Sequence, residues 1–256
     1  MKAAAAQIRC QPGNIEANCA RIPELAGQAK SNRCGLIVFP EMTDTGYDMP
    51  AIQQTASPWP GLPYDTAGRA ARDFSIYLIC GLSEREGDRI YNSLAVFDPE
   101  GNLLGKYRKT HLLPLDPVNE DHYLTPGNSL TTVQIGDMKW GLLICYDLRF
   151  PRVSHELALS GAEGLIICAA WPSPRQEHWE ILNAARAIEN QCYVIAANRI
   201  GTDGPLTFCG SSCIIDPEGS IIASASQDTE GLIMAEVSAE AVSSLRARQP
   251  FLEDVP

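Results

Sequence analysis

Residues 139–152 read Lys139-Trp140-Gly141-Leu142-Leu143-Ile144-Cys145-Tyr146-Asp147-Leu148-Arg149-Phe150-Pro151-Arg152, and the reading of this stretch decides the fold. A short apolar run from Trp140 to Ile144, closed by polar residues, has the form of a buried strand. Pro151 carries the fixed φ that suits the first position of a helix, so a helix should open there. Cys145 then falls on a tight strand-to-helix turn at the edge of a sheet, beside backbone N–H groups with no partner inside the helix. Such a position favours the thiolate and offers donors for an oxyanion. Burial as inert core is the commoner fate of a cysteine, so the turn alone does not decide its role.

Outward from this turn, strand and helix patterns alternate. Residues 3–8 and 35–39 read as strands, with a helix over 15–30 between them that Asn14 caps and Pro23 should kink or split. Residues 50–64 read as loop, 65–74 as a helix, and 76–82 as a strand. Strands at 92–97 and 102–106 flank the turn Asp98-Pro99-Glu100-Gly101. The same turn returns as Asp216-Pro217-Glu218-Gly219 between strands at 210–215 and 220–225. After the cysteine turn come a strand at 164–169, a Pro-stiffened loop at 170–175 and a helix over 178–191. Ile181, Leu182, Ala185 and Ile188 form one apolar face of that helix. A strand at 192–197 follows, and 239–256 reads as a short helix with a Pro-bounded extension. The alternation indicates an α/β fold with a mixed or parallel sheet, and the repeated hairpin indicates two similar halves packed as a sandwich. No linker separates them, so residues 1–256 are expected to form a single domain. The aperiodic stretch 106–124 is long enough to expect a functional loop.

Composition narrows the class. A 45% hydrophobic chain of 256 residues is ordinary for a globular core. Its net charge of −11 and pI near 4.8 argue against nucleic acid or an anionic membrane as partner. Nine cysteines without a Cys-x-x-Cys pair, several inside apolar runs, and four scattered histidines argue against zinc and for buried thiols in a reducing, cytoplasmic setting. The apolar part of the N-terminus is too short for a signal peptide, and no run reaches membrane-spanning length.

Three apolar strands end in chemistry-bearing residues: Phe39-Pro40-Glu41, Ile144-Cys145 and Ala170-Trp171. Strand C-termini are where α/β sheets gather ligands, so Glu41 and Cys145 could meet there. A thiol of pKa about 8.5 needs a base or a positive neighbour to attack at neutral pH. A carboxylate can be the base, and a lysine from the 106–124 loop can stabilise an oxyanion. Taken singly, Glu41 could be a cap, Lys109 a solvated charge and Cys145 core filler.

The segments FPEM (39–42), YRKTHL (107–112) and GLLICYDLRFP (141–151) together resemble the signature segments of the nitrilase superfamily of carbon–nitrogen hydrolases, in that family's order and spacing. The resemblance extends through HWEILNAARAIENQCYV at 178–194. It implies a four-layer α-β-β-α sandwich, Glu41 as general base, Lys109 as oxyanion lysine, Cys145 as nucleophile and Glu120 as a second glutamate. It also implies the Tyr146 N–H in the oxyanion site, no metal or organic cofactor, and a homodimer. The context CYDLRFP and the segment WPSPRQEHW resemble the amidase branches, above all the ω-amidase type, which implies ω-amides of dicarboxylates such as α-ketoglutaramate and succinamate. Deaminated-glutathione amidase and short aliphatic amidase or nitrilase activities are the alternatives. Arg175 could then bind the free carboxylate of the substrate, or simply pair with Glu177 or another surface carboxylate; Tyr146 and Trp171 could wall the pocket, or simply pack. Asp147 and Arg149 read equally as a pair fixing the cysteine turn or as a surface ion pair. Two rival classes stay open: a catalytically silent interaction protein of the same fold, and a papain-like thiol hydrolase, for which no Cys/His signature is present.

Overall fold

The computed structural model describes residues 1–253. Its first half runs β1 (Lys2–Gln7), α1 (Ile15–Ser31), β2 (Leu36–Val38), α2 (Met49–Thr55), α3 (Leu62–Asp73), β3 (Tyr77–Glu86), β4 (Arg89–Phe97) and β5 (Leu103–Arg108). The second half begins with β6 (Thr132–Ile135), β7 (Met138–Ile144), α4 (Pro151–Leu159), β8 (Gly164–Ala169), α5 (Gln176–Asn190) and β9 (Tyr193–Asn198). It closes with β10 (Ile200–Asp203), β11 (Leu206–Cys209), β12 (Cys213–Ile215), β13 (Ile221–Ser224), β14 (Gly231–Glu236) and α6 (Ala239–Arg248). The last three residues of the expected C-terminal extension lie outside the described residues.

Two six-stranded sheets, ordered β14-β1-β2-β3-β4-β5 and β13-β12-β9-β8-β7-β6, share one plan. Each has three parallel strands, an antiparallel hairpin on one side and a single antiparallel strand on the other. The hairpins are the two repeated turns. Asp98 Oδ1 accepts from the N–H groups of Glu100 and Asn102, and Asp216 Oδ1 accepts from those of Glu218 and Ser220. The two-halves reading holds at the level of individual hydrogen bonds.

Strand side chains alternate between faces, and that alternation builds the layers. Ala3, Ala5, Leu36, Val38, Ile79, Leu94 and Val96 point to the second sheet, whereas Ala4, Ala6, Ile37, Leu78, Cys80 and Phe97 point to α1 and α3. The second sheet buries Trp140, Leu142, Ile144 and Ile166 in the same core, and α4 and α5 cover its outer face with Val153, Leu157 and Ala187. The architecture is the expected α-β-β-α sandwich.

Three local expectations need correction. Helix α1 runs unbroken through Pro23, because Cys19, Ile22, Leu25, Ala26 and Ala29 on its buried face hold it to the sheet. The 50–64 stretch is not all loop: Asp48 accepts from the Ala51 N–H at 2.9 Å with Pro50 in the first turn, and α2 follows. Helix α5 buries Trp179, Asn183, Arg186, Ala187 and Asn190, and leaves Ile181 (65% exposed) and Ile188 (54%) in solvent. Its polar inner face is satisfied locally: Asn183 donates to the Trp179 carbonyl, Asn190 to the Arg186 carbonyl, and Arg186 to the Leu148 carbonyl. The buried face is mixed: Trp179 and Ala187 pack into the core, Leu182 lies half-buried against it, and the polar groups beside them are hydrogen-bonded.

Candidate active site

Parallel strands β2, β7 and β8 end at the same edge of the sandwich, which brings Glu41, Cys145 and Ala170 together from both sheets. Lys109 follows β5, and Glu120 opens a short 3-10 turn at residues 120–122 in the long loop. All four side chains named for the chemistry, Glu41, Lys109, Glu120 and Cys145, meet there and are buried.

Lys109 is the centre of the cluster. Its Nζ donates to Glu41 Oε1 at 2.8 Å and to the Glu120 carboxylate at 2.8 Å, with no side-chain exposure on any of the three. Burial works against the ammonium, but Glu120 and Glu41 outweigh it and hold Lys109 charged well above the usual lysine range. Burial pushes the Glu41 carboxyl up, the Lys109 ammonium pulls it back, and Glu120 pushes it up again. The Cys145 thiol is raised well above its ordinary value by burial first and the Glu41 charge second, with Lys109 opposing. The resting cysteine is therefore a neutral thiol beside a carboxylate of enhanced basicity. Such a pair has the chemistry of a nucleophile with a general base.

Two partners of Glu41 escaped sequence reading. Asn92 on β4 donates to Glu41 Oε1 at 2.6 Å and to Glu120 Oε1 at 3.3 Å, and the Ala170 N–H donates to Glu41 Oε2 at 2.7 Å. The available signal was weak: Asn is depleted in strand interiors, so one inside an apolar strand invites a reason. The backbone donor leaves no sequence trace at all.

Cys145 occupies the junction between β7 and a 3-10 turn over residues 145–149, with α4 starting at Pro151. Its φ is +43°, a left-handed conformation that a non-glycine residue adopts at a cost of about 1–3 kcal/mol. The turn is pinned from below by Arg186, whose guanidinium donates to the Leu148 carbonyl at 2.7 and 3.1 Å. Asp147 and Arg149 form no pair. Asp147 is buried and turned towards the Lys109 segment, while the Arg149 guanidinium stacks 4.6 Å from the Trp171 ring.

A narrow cavity opens onto Cys145, walled by Tyr47, Leu113, Val118, Tyr146, Trp171 and Phe208. Tyr146 and Trp171 thus both line it, and Arg175 stands at its rim with Arg149. Burial and the nearby Arg175 charge lower the Arg149 pKa. Arg175 does not pair with Glu177: among the described residues neither guanidinium has an acidic partner, although Asp116 also lines the mouth and takes the Asn119 amide at 2.6 Å. The poorly periodic 113–118 segment supplies one wall of this cavity, including Leu113, Leu115 and Pro117. Among the described residues no group of three or more His, Cys, Asp or Glu side chains is arranged to hold a metal ion.

Residues 2–247 match the carbon-nitrogen hydrolase family model. The chain is 33% identical to the 2-oxoglutaramate amidase of Bacillus subtilis over 89% of its length and 87% of the relative's. It is 31% identical to the human omega-amidase NIT2, covering 93% of this chain and 87% of that one. The solved structure of an amidase from Nesterenkonia sp. AN1, with acrylamide added at its active-site cysteine, superposes with a TM-score of 0.87 at 26% identity, covering 97% of each chain. With the sandwich, the strand-end cluster and these similarities in agreement, the chain belongs to the carbon–nitrogen hydrolase family, the nitrilase superfamily, close to the ω-amidases.

Proposed function

We propose that the protein is a thiol amidase that hydrolyses the terminal amide of a small ω-amide of a dicarboxylate, such as α-ketoglutaramate or succinamate, to the acid and ammonia. The observation that carries this is the solvent-free Glu41–Lys109–Glu120 ion cluster beside a cysteine held in a strained turn. Glu41 takes the Cys145 proton as the sulfur attacks the amide carbon. Lys109 and the Tyr146 N–H hold the oxyanion, and the proton from Glu41 leaves with the nitrogen as ammonia. A water deprotonated by Glu41 then cleaves the thioester, releasing the carboxylate and restoring the thiol. Glu120 keeps Lys109 oriented and charged.

Substrate choice rests on the rim. Among the described residues Arg149 and Arg175 have no acidic partner, and a guanidinium fork matches a carboxylate bidentately. The narrow apolar walls suit a short chain between that carboxylate and the amide. Residues 1–256 act as one unit in this proposal, which the match over 2–247 supports. Nine free cysteines support a reducing cytoplasmic setting, and exposed Leu159, Ile181 and Ile188 on the outer layer support a homodimer.

The test is ammonia release from succinamate, α-ketoglutaramate, simple aliphatic amides and deaminated glutathione, by wild type and Cys145→Ser. Turnover of the first two that disappears in the variant is the expected result. No ammonia from any of the four would sink the amidase reading and favour an interaction protein. Turnover confined to deaminated glutathione or aliphatic amides would move the substrate class.

A further inference from the structure

The proposed oxyanion lysine and nucleophile come from different sheets: Lys109 follows β5 at the edge of the first, and Cys145 follows β7 in the second. Neither sheet's hydrogen-bond ladder sets the distance between them. We propose that Asp147 does so, as a positioning residue whose one buried carboxylate gathers the segment around Lys109 and the backbone entering Cys145. Its catalytic meaning rests on the amidase reading above.

Asp147 is fully buried. Its Oδ2 accepts from the Tyr107 hydroxyl at 2.8 Å and from the Ile144 N–H, immediately before Cys145, at 3.0 Å. Its Oδ1 accepts from the Thr110 hydroxyl at 3.1 Å and from the His111 N–H at 3.0 Å, with His111 Nδ1 also at 3.0 Å. Tyr107, Thr110 and His111 bracket Lys109 on both sides in sequence. A carboxylate only accepts, so the His111 ring carries its proton on Nδ1 in this contact, and its face stacks on Phe150 at 3.9 Å. Two oxygens with about four lone-pair sites are thus saturated by five donors.

The arrangement needs a carboxylate specifically. Each oxygen meets one backbone N–H, from Ile144 on one side and from His111 on the other. An amide in its place, whichever way it flips, turns an NH2 group onto one of those donors. Asparagine would push apart the two segments that the carboxylate draws together, while its volume and burial stay the same.

Asp147→Asn and Tyr107→Phe test this, singly and together, with folding checked by circular dichroism. A shift of the lysine arm by a fraction of an ångström to 1 Å lowers turnover by about 10²-fold, so Asp147→Asn should lose that much in kcat with KM within about threefold. Tyr107→Phe, which removes one donor and no volume from the site, should lose about threefold to tenfold in kcat, again at constant KM, and should have no further effect in the Asp147→Asn background. A folded Asp147→Asn enzyme with wild-type kcat, or a Tyr107→Phe effect that stays the same in both backgrounds, overturns the proposal. If Asp147→Asn does not fold, Tyr107→Phe decides alone: unchanged kcat overturns the proposal. The rate of Cys145 alkylation by iodoacetamide, followed by peptide mass mapping, separates this from the amidase reading. Slower alkylation in the variants with no ammonia released by wild type would leave the clamp standing and the substrate assignment fallen.

Discussion

Replacing Lys109 with Met keeps the volume of the side chain and deletes the charge between two fully buried carboxylates. At about pH 8 those carboxylates must stay ionised without a cation or take up protons. Protonating one carboxyl whose ordinary pKa is 4.5 costs about 1.4 kcal/mol per pH unit, so about 5 kcal/mol at pH 8 and about 1.4 kcal/mol at pH 5.5. The lower route sets the cost, and breaking a buried pair typically costs about 3–5 kcal/mol, so the variant should lose that much near pH 8. The sign follows from linkage. Without Lys109 the folded-state pKa of Glu41 moves further up, so stability is retained at low pH and lost as pH rises through that pKa. Urea unfolding of both proteins at pH 5.5 and pH 8 reads the difference directly, with the deficit shrinking by about 3 kcal/mol or more at the lower pH. On the proposed mechanism, ammonia release should fall by at least about 10²–10³-fold, because the proposed oxyanion donor is gone and the Glu41 pKa moves up. A pH-independent stability loss, or turnover within tenfold of wild type, would refute the reasoning.

Asn92→Ala removes the 2.6 Å donor to Glu41, so the Glu41 pKa should rise and the acid limb of kcat/KM should move to higher pH; an unmoved limb in the pH–rate profile counts against Glu41 as the base. Arg175→Ala should raise KM about tenfold or more for succinamate while leaving propionamide kinetics within about threefold, and equal effects on both would remove Arg175 from carboxylate recognition. The hairpin β10–β11 brings Leu206 and Phe208 to the cavity and is tied down by the buried Arg199–Asp203 pair, with Asp203 also accepting from the Tyr47 N–H at 3.0 Å. Asp203→Ala should therefore raise KM about tenfold and expose the hairpin to limited proteolysis. Asp44, buried on Ser83, has its carboxyl pushed from 3.8 to about 6 by burial, so wild type should lose about 2.4 kcal/mol relative to a non-titrating Asp44→Asn variant as pH rises from 4 to 7, measured by urea unfolding.

Much of this was legible because it is local. The strand-to-helix turn at Cys145 follows from an apolar run that meets a proline, and the two hairpins follow from identical turns whose aspartates bond their own backbone. The motif segments carried Glu41, Lys109, Glu120 and Cys145, and the structure gathers all four. The missed helix α2 has a local cause, the Asp48 cap, whereas for α1 and α5 packing between distant segments had overridden a local preference. Pro23 did not break α1, because burial of the helix face outweighs the lost hydrogen bond. Ile181 and Ile188 of α5 face outward, because Trp179 and Ala187 take the core side and Arg186 reaches across from it to the Leu148 carbonyl.

The sequence by itself determined the layers, the position of the nucleophile on its turn and the set of chemical groups, since periodicity, turn chemistry and motif order are properties of neighbouring residues. Only the tertiary structure decided which groups touch. It turned Asp147 away from Arg149 and onto Tyr107, Thr110 and His111, gave Glu41 its donors from Asn92 and the Ala170 backbone, and left Arg149 and Arg175 without acidic partners among the described residues at the cavity mouth. The physical reason is that these pairings depend on how two sheets meet. The angle and separation of that meeting are set by side-chain packing summed over the whole core, which no single segment encodes.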